Sequence, residues 1–128
     1  MLSIYKASAG SGKTHTLTRE YLVMLFRDYQ KRRDQWMPHS RILAVTFTKK
    51  ATAEMKERIL GKLYGVANRS KSAKEYMEKV KQQMPHMSEE LIRERARMAF
   101  GLIMHDYGHF RIQTIDAFFQ TVLRGLAK

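Results

Sequence analysis

The feature that most constrains the fold of this 128-residue chain is a turn of small residues near its start. A short β-favouring run, residues 2–5, leads directly into this turn. A helical pattern follows the turn, and its apolar residues share one face: Leu22, Leu25, Phe26 and Tyr29. A strand, a glycine-containing turn and a helix in this order predict the first βα unit of an α/β domain.

The turn itself has the character of a phosphate-binding loop, G-x-x-x-x-G-K-[ST], with alanine at the first position. Small residues let successive backbone N–H groups point at phosphate oxygens, and the start of the next helix adds its positive dipole end. Lys13 is the predicted catalytic residue, which contacts the β- and γ-phosphates, and the Thr14 hydroxyl is the predicted metal ligand. The residues predicted to hold a nucleotide are Ala7, Ser8, Ala9, Gly10, Ser11, Gly12, Lys13 and Thr14.

Two further strand–helix units follow along the chain. Residues 42–47 form an apolar run without alternation, which is typical of a strand buried on both faces of a parallel sheet. Thr48 is the expected N-cap of the next helix. Residues 110–115 predict a third strand, after which Asp116 is the expected cap of the last helix. The predicted fold class is therefore α/β, with a mostly parallel sheet and flanking helices.

The helices of the second half differ in how clearly the sequence predicts them. Residues 68–88 contain interspersed lysines and glutamates and predict at most a solvated helix. Ser88 is the expected cap of a long amphipathic helix that ends before Gly108. In the last helix, Phe118 and Phe119 are expected to pack in the core, because Phe119 shares a stripe with other apolar residues.

Charge and composition limit the class of protein. Lysines and arginines number 24 against 12 acidic residues, so the formal net charge is +12. This charge favours a polyanionic partner, with nucleic acid or phosphate ahead of a membrane surface. The absence of cysteine excludes disulfides and thiolate metal sites, and no apolar run approaches the ~20 residues of a membrane span. We expect a cytoplasmic protein without a membrane partner.

Three segments together resemble one helicase family. Residues 42–59 are similar to motif Ia of the UvrD/RecB branch of superfamily 1 helicases, and residues 114–120 are similar to its motif Ic. Residues 7–14 resemble motif I, which often begins with alanine in this family, and the three motifs follow the family's order. Lys49 stands where asparagine is usual and Thr52 where alanine is usual. The chain thus resembles the N-terminal part of an AddA/RecB-like ATP-dependent DNA helicase or helicase–exonuclease.

The resemblance implies a partial RecA-like domain over residues 1–128, with ATP and Mg²⁺ at the phosphate-binding loop. It also implies that single-stranded DNA crosses motif Ia. There Phe47 would stack on a base, although a core position at the end of the strand is an equal alternative. The residues that the resemblance assigns to DNA binding are Thr46, Phe47, Thr48 and Lys49.

The motifs that would complete the enzyme do not occur in these 128 residues. There is no Walker B sequence, and the arginine that contacts the γ-phosphate in this family is also missing. We therefore expect the N-terminal piece of a longer DNA helicase that acts in recombination and repair. We expect this piece to be inactive alone, to work with the remaining helicase domains and a partner subunit, and to self-associate when isolated.

Two other functions are compatible with parts of the sequence. A small phosphate-loop kinase combines the same loop with an α/β fold, but motifs Ia and Ic have no use in it. A non-enzymatic nucleic-acid-binding module explains the charge, but it leaves Gly12, Lys13 and Thr14 without a role.

Overall fold

The computed structural model of this protein describes residues 11–31 and 36–127. Two segments in these residues form single 3₁₀ turns, Lys71–Ala73 and Tyr107–His109. The helices and strands, in chain order, are α1 Ser11–Lys31, α2 Pro38–Arg41, β1 Ala44–Thr46, α3 Lys49–Ala67, α4 Lys74–Gln83, α5 Glu89–His105, β2 Ile112–Thr114 and α6 Ile115–Leu126. The strand expected at residues 2–5 lies outside the described residues.

The two strands form a parallel pair. Ala44 lies opposite Ile112, and Thr46 lies opposite Thr114. All three residues of β1 are buried, as expected for an apolar run without alternation. Both strands are shorter than predicted. Directly before β2, the N–H of Arg111 donates to the carbonyl of His39 over 3.3 Å, and the carbonyl of Arg111 accepts from the N–H of Ala44 over 3.0 Å. The described residues thus form a helix-rich structure around a small parallel sheet, compatible with a partial α/β domain.

Helix α1 lies deepest in the structure. The predicted stripe of Leu22, Leu25, Phe26 and Tyr29 is buried. Tyr21, Val23 and Met24 are also buried, so α1 is covered on several sides, by α2, α3 and α4. No helix in the described ranges combines the length and the apolar character that a bilayer crossing requires.

Helices α3 and α5 form the most extensive helix pair of the core. Both helices begin at the predicted caps, since the Thr48 hydroxyl accepts from the N–H of Ala51 over 3.0 Å and that of Ser88 from Leu91 over 3.1 Å. Small side chains on α5 let the two backbones approach closely. The buried residues of this pair include Met55, Ile59, Leu63, Val66, Ile92, Ala96, Ala99 and Ile103.

The prediction for residues 68–88 is wrong. This segment contains α4, which packs against α1, α3 and α5 and buries Tyr76, Met77 and Val80. The sequence pattern obscures this face because α4 has only three buried apolar side chains among five charged ones. Exposed neighbours such as Lys74 made the segment look solvated, although it is part of the core.

The predictions for the start and the apolar face of α6 are also wrong. Thr114 caps the helix, since its hydroxyl accepts from the N–H of Ala117 over 3.1 Å. Asp116 lies in the first turn, where its carboxylate is favourable beside the helix dipole. Phe119 is 54% exposed and Phe118 is only partly buried, so neither is a core residue here. The helix meets the sheet near the strand ends, and the rest of its apolar face has no cover among the described residues.

A buried histidine ties the approach to β1 to the approach to β2. His39 of α2 is fully buried, and its Nε2 donates to one oxygen of Asp106 over 2.8 Å. The other oxygen accepts from Nδ1 of His109 over 2.6 Å. The bonds from His109 and His39 hold the pKa of Asp106 below its usual value, because they stabilise the carboxylate. The segments that precede the two strands are therefore fastened to each other.

At Gly65, helix α3 packs closely on the 3₁₀ turn that follows it, and this packing predicts the effect of a substitution on stability. A Cβ at Gly65 would lie 2.8 Å from the Cβ of Ala73. Overpacking costs about 1–3 kcal/mol, against a helix-propensity gain of about 1 kcal/mol. Gly65→Ala is therefore expected to lower the free energy of unfolding by up to ~2 kcal/mol, measured by urea denaturation.

Gly61 on the same helix provides the matched control. No atom lies within 4 Å of a Cβ built at Gly61, so Gly61→Ala should raise the free energy of unfolding by up to ~1 kcal/mol. Equal effects of the two substitutions would contradict the close packing of Gly65 on Ala73.

Candidate functional site

Two helices begin side by side at one edge of the sheet. Because β1 and β2 are parallel and Thr46 pairs with Thr114, their C-terminal ends coincide. Two residues separate the end of β1 from the start of α3, and α6 starts directly after β2. In parallel sheets, the edge beyond the carboxyl ends of the strands is where ligands bind. The structure thus places the motif Ia segment next to the motif Ic segment, at an edge suited to a ligand.

The residues predicted to contact DNA occupy this edge but differ in exposure. Phe47 is 49% exposed, so its ring is not in the core of the described structure. Thr48 and Lys49 are exposed as well. Thr46, in contrast, is buried. Three of the four side chains are therefore accessible to a ligand in this structure, and the fourth lies beneath them.

The buried Thr46 takes part in a closed group of hydrogen bonds. Its hydroxyl donates to the carbonyl of Thr48 over 3.2 Å and contacts the hydroxyl of Thr52. Since Thr46 has one hydroxyl hydrogen, which it gives to Thr48, the Thr52 hydroxyl must be the donor to Thr46. The N–H of Thr52 donates to the same Thr48 carbonyl over 3.0 Å. Thr52 therefore fixes both sides of the loop that carries Phe47.

Sequence reasoning missed this role of Thr52. The available signal was the departure from the motif, because threonine stands where the family usually has alanine. An added hydroxyl near the start of a helix often bonds to the backbone or to a neighbouring hydroxyl. What the sequence did not supply is the buried position of Thr46, which makes it the partner.

The start of α3 is electropositive. Lys49 and Lys50 occupy the first turn, which contains no acidic residue, and both are exposed. Cations at a helix N-terminus oppose the helix dipole and cost stability there. The Thr48 hydroxyl accepts the capping bond, which leaves its own hydrogen to be donated outward. This combination of charge and donor favours an anionic ligand such as a phosphate group.

The predicted nucleotide loop is described only in its second half. The backbone of Ser11, Gly12, Lys13 and Thr14 forms the first turn of α1, which carries no acidic residue. Ala7, Ser8, Ala9 and Gly10 lie outside the described residues. The described half of the predicted loop is thus helical, and backbone N–H groups at a helix N-terminus can bind phosphate oxygens. Among the residues described, no three His, Asp or Glu side chains are grouped so that they could hold a metal ion.

Comparison with known proteins defines the class of protein. Residues 3–128 match the family described as the UvrD/REP helicase N-terminal domain, which covers nearly the whole chain. The chain belongs to this family. The resemblance carried by the three motifs is confirmed.

Two curated relatives agree with this assignment. The RecBCD enzyme subunit RecB of Haemophilus influenzae is 35% identical over 68 residues, which are 53% of this chain and 6% of that protein. A probable DNA helicase II homolog of Mycoplasma capricolum subsp. capricolum is 48% identical over 54 residues, 42% of this chain and 6% of that protein. The matched segments thus span a small share of either relative's length. No solved structure matches the chain significantly.

The hydroxyl group at Thr52 can be tested by substitution. Thr52→Val keeps the shape but removes the donor to Thr46, so we expect a loss of about 1 kcal/mol in the free energy of unfolding. Thr52→Ser restores the hydroxyl and should recover most of this loss. Urea denaturation of the three proteins gives the comparison, and equal stability of the valine and serine variants would show that the bond contributes nothing.

Proposed function

We propose that this chain is the ATP-binding N-terminal portion of a DNA helicase that moves along single-stranded DNA in recombination and repair. The observation that carries the proposal is the family membership over residues 3–128. The Gly12-Lys13-Thr14 sequence at the start of α1 supports it. In this proposal, residues 1–128 form part of a RecA-like domain, and further domains of a longer chain complete the enzyme.

In the proposed nucleotide site, the phosphates bind against the N-terminus of α1. Backbone N–H groups of residues 7–12 and the helix dipole hold the phosphate oxygens. Lys13 adds a point charge at the β- and γ-phosphates, and the Thr14 hydroxyl is a ligand to Mg²⁺. When bound, Mg²⁺ neutralises the charge that develops on these phosphates. This chain supplies binding and orientation, while the groups that hold water for hydrolysis come from elsewhere in the enzyme.

Removing the lysine tests the nucleotide site. Lys13→Ala in the full-length protein is expected to abolish ATP hydrolysis and unwinding with little loss of stability, because Lys13 acts on phosphate rather than on packing. The measurements are steady-state ATPase activity and the melting temperature. Lys71→Ala removes an exposed lysine far from the loop in sequence and should leave turnover unchanged. Wild-type turnover in the Lys13 variant would exclude the phosphate-loop assignment.

In the proposed DNA path, single-stranded DNA crosses the edge of the sheet at the C-terminal ends of β1 and β2. Phe47 stacks on a base there, and stacking tolerates every sequence, as a translocating enzyme requires. Thr48 and Lys49 contact the backbone phosphates. Thr46 contributes indirectly in this structure, since its hydroxyl holds the Thr48 carbonyl. ATP-driven movement between two domains would then carry this contact along the strand.

Single-stranded DNA binding by this edge can be measured directly. Phe47→Ala should weaken binding of an oligothymidine by roughly 5- to 150-fold, the equivalent of ~1–3 kcal/mol for a lost stack. Tyr64→Ala, which removes an exposed ring near the other end of α3, is the control and should have no effect. Affinity should also fall with salt, with a log–log slope of roughly −0.7 per phosphate contacted. A salt-independent affinity would contradict a phosphate-contacting edge.

We also propose that the apolar face of α6 packs against the remaining helicase domains. The face consists of Phe119, Val122, Leu123 and Leu126, all exposed. Contiguous apolar surface of this kind is uncommon on a soluble monomer and marks a contact surface. In the isolated chain, a second copy is the only partner present in solution, so this face should drive self-association.

The self-association is tested by placing a charge on the face. Leu123→Glu should reduce the average mass of the isolated chain in light scattering, because an ionised carboxylate resists burial. Gln120→Glu adds the same charge at an exposed polar position of α6 and should change the mass much less. If both variants remain as associated as the wild type, another surface joins the copies.

A further inference from the structure

The residue that directly follows Thr14 is held by α4 at both of its ring nitrogens. Nε2 of His15 lies 2.8 Å from Oε1 of Glu75, and Nδ1 lies 3.0 Å from the hydroxyl of Tyr76. A carboxylate only accepts hydrogen bonds, so Nε2 carries a hydrogen and donates it to Glu75, while Nδ1 and the Tyr76 hydroxyl share the second hydrogen bond. Two consecutive residues of α4 therefore fix the direction of the His15 ring.

The two α4 side chains are themselves held in place. The ring of Tyr76 is buried, and it meets the His15 ring edge-on at a centroid distance of 5.4 Å. Lys62 of α3 places its Nζ 5.1 Å from the Tyr76 ring centroid. Arg19, one turn further along α1, approaches the same Glu75 oxygen at 3.5 Å. The contact between α1 and α4 is therefore a cluster of connected hydrogen bonds, ion pairs and ring contacts rather than a single exposed ion pair.

The cluster lies close to the N-terminal turn of α1. The first turn of a helix lacks a full set of backbone hydrogen bonds and tends to fray. In α1 this turn also contains Gly12, which has more backbone freedom to lose than other residues. His15 directly follows Thr14 in α1, and its side chain is anchored to α4. Its anchoring restrains the turn that presents Lys13 and Thr14.

We infer that Tyr76 and Glu75 are positioning residues for the binding of a nucleoside triphosphate, and that they act through His15 on the turn that carries Lys13 and Thr14. This inference rests on the proposed function of the loop. It gives a role to α4, a segment that carries no helicase motif and lies about 60 residues from the loop in sequence. Neither α4 side chain contacts the nucleotide in this arrangement. Their loss therefore affects how well the phosphates bind more than how fast the bound nucleotide reacts.

The test uses the full-length protein and steady-state ATPase kinetics. Tyr76→Phe deletes only the hydroxyl that bonds His15, and it should raise the KM for ATP by about three- to tenfold, the effect of one hydrogen bond, with a smaller change in kcat. Glu75→Ala should raise KM similarly, whereas Glu75→Gln keeps an accepting oxygen and should restore most of the affinity. Tyr64→Phe, which removes a hydroxyl from an exposed tyrosine of α3, is the control with unchanged KM.

A double-mutant cycle establishes that the effect passes through His15. If Tyr76 acts on the loop only through this ring, His15→Ala combined with Tyr76→Phe should raise KM no more than His15→Ala alone. Additive effects, or a wild-type KM in the Tyr76→Phe protein, would overturn the inference. A Lys13→Ala protein with wild-type turnover would instead overturn the proposed function of the loop, so the two failures are distinguishable.

Discussion

The parallel pairing of β1 with β2 is the constraint on which the candidate site depends. It aligns Thr46 with Thr114, so that both strands end at one edge and both following helices start there. With antiparallel pairing, the two ends would lie at opposite edges, and the motif Ia and motif Ic segments would be separated. The bonds among His39, Asp106 and His109 support this pairing, because they fasten the two segments that enter the strands.

Threonine hydroxyls form several of the hydrogen bonds that fix the backbone at this edge. Thr48 and Thr114 cap the two helices, and Thr46 and Thr52 lock the turn between β1 and α3. The two capping bonds satisfy backbone N–H groups at the helix starts, and the Thr46 hydroxyl bonds the backbone carbonyl of Thr48. The larger side chains of the edge, Phe47 and Lys49, are exposed. The edge therefore has a fixed backbone and accessible side chains, a suitable arrangement for binding.

Helices α4 and α5 pack against the helices that carry the predicted motifs, α1 and α3. Helix α4 contributes Tyr76 to the core and places its hydroxyl on His15, beside the predicted nucleotide loop. Helix α5 covers α3, which carries the motif Ia residues at its start. The segments without a recognisable motif thus hold the segments that have one. Helix α6 is the exception, because its apolar face has no cover within the described residues.

The sequence by itself determined the family, the two strand–helix units that follow residue 42, and the caps of α3 and α5. Motif spacing, apolar periodicity and a threonine before a helix are local signals, and for this reason the starts of α3 and α5 were predictable. Which surfaces become buried was decided only by the tertiary structure. Phe119 belongs to an apolar stripe and Tyr76 stands among charged residues, yet Tyr76 is buried and Phe119 is exposed. The physical reason is that burial depends on a neighbour distant in sequence: α4 has α1 beside it, and the apolar face of α6 has no such neighbour in the described residues.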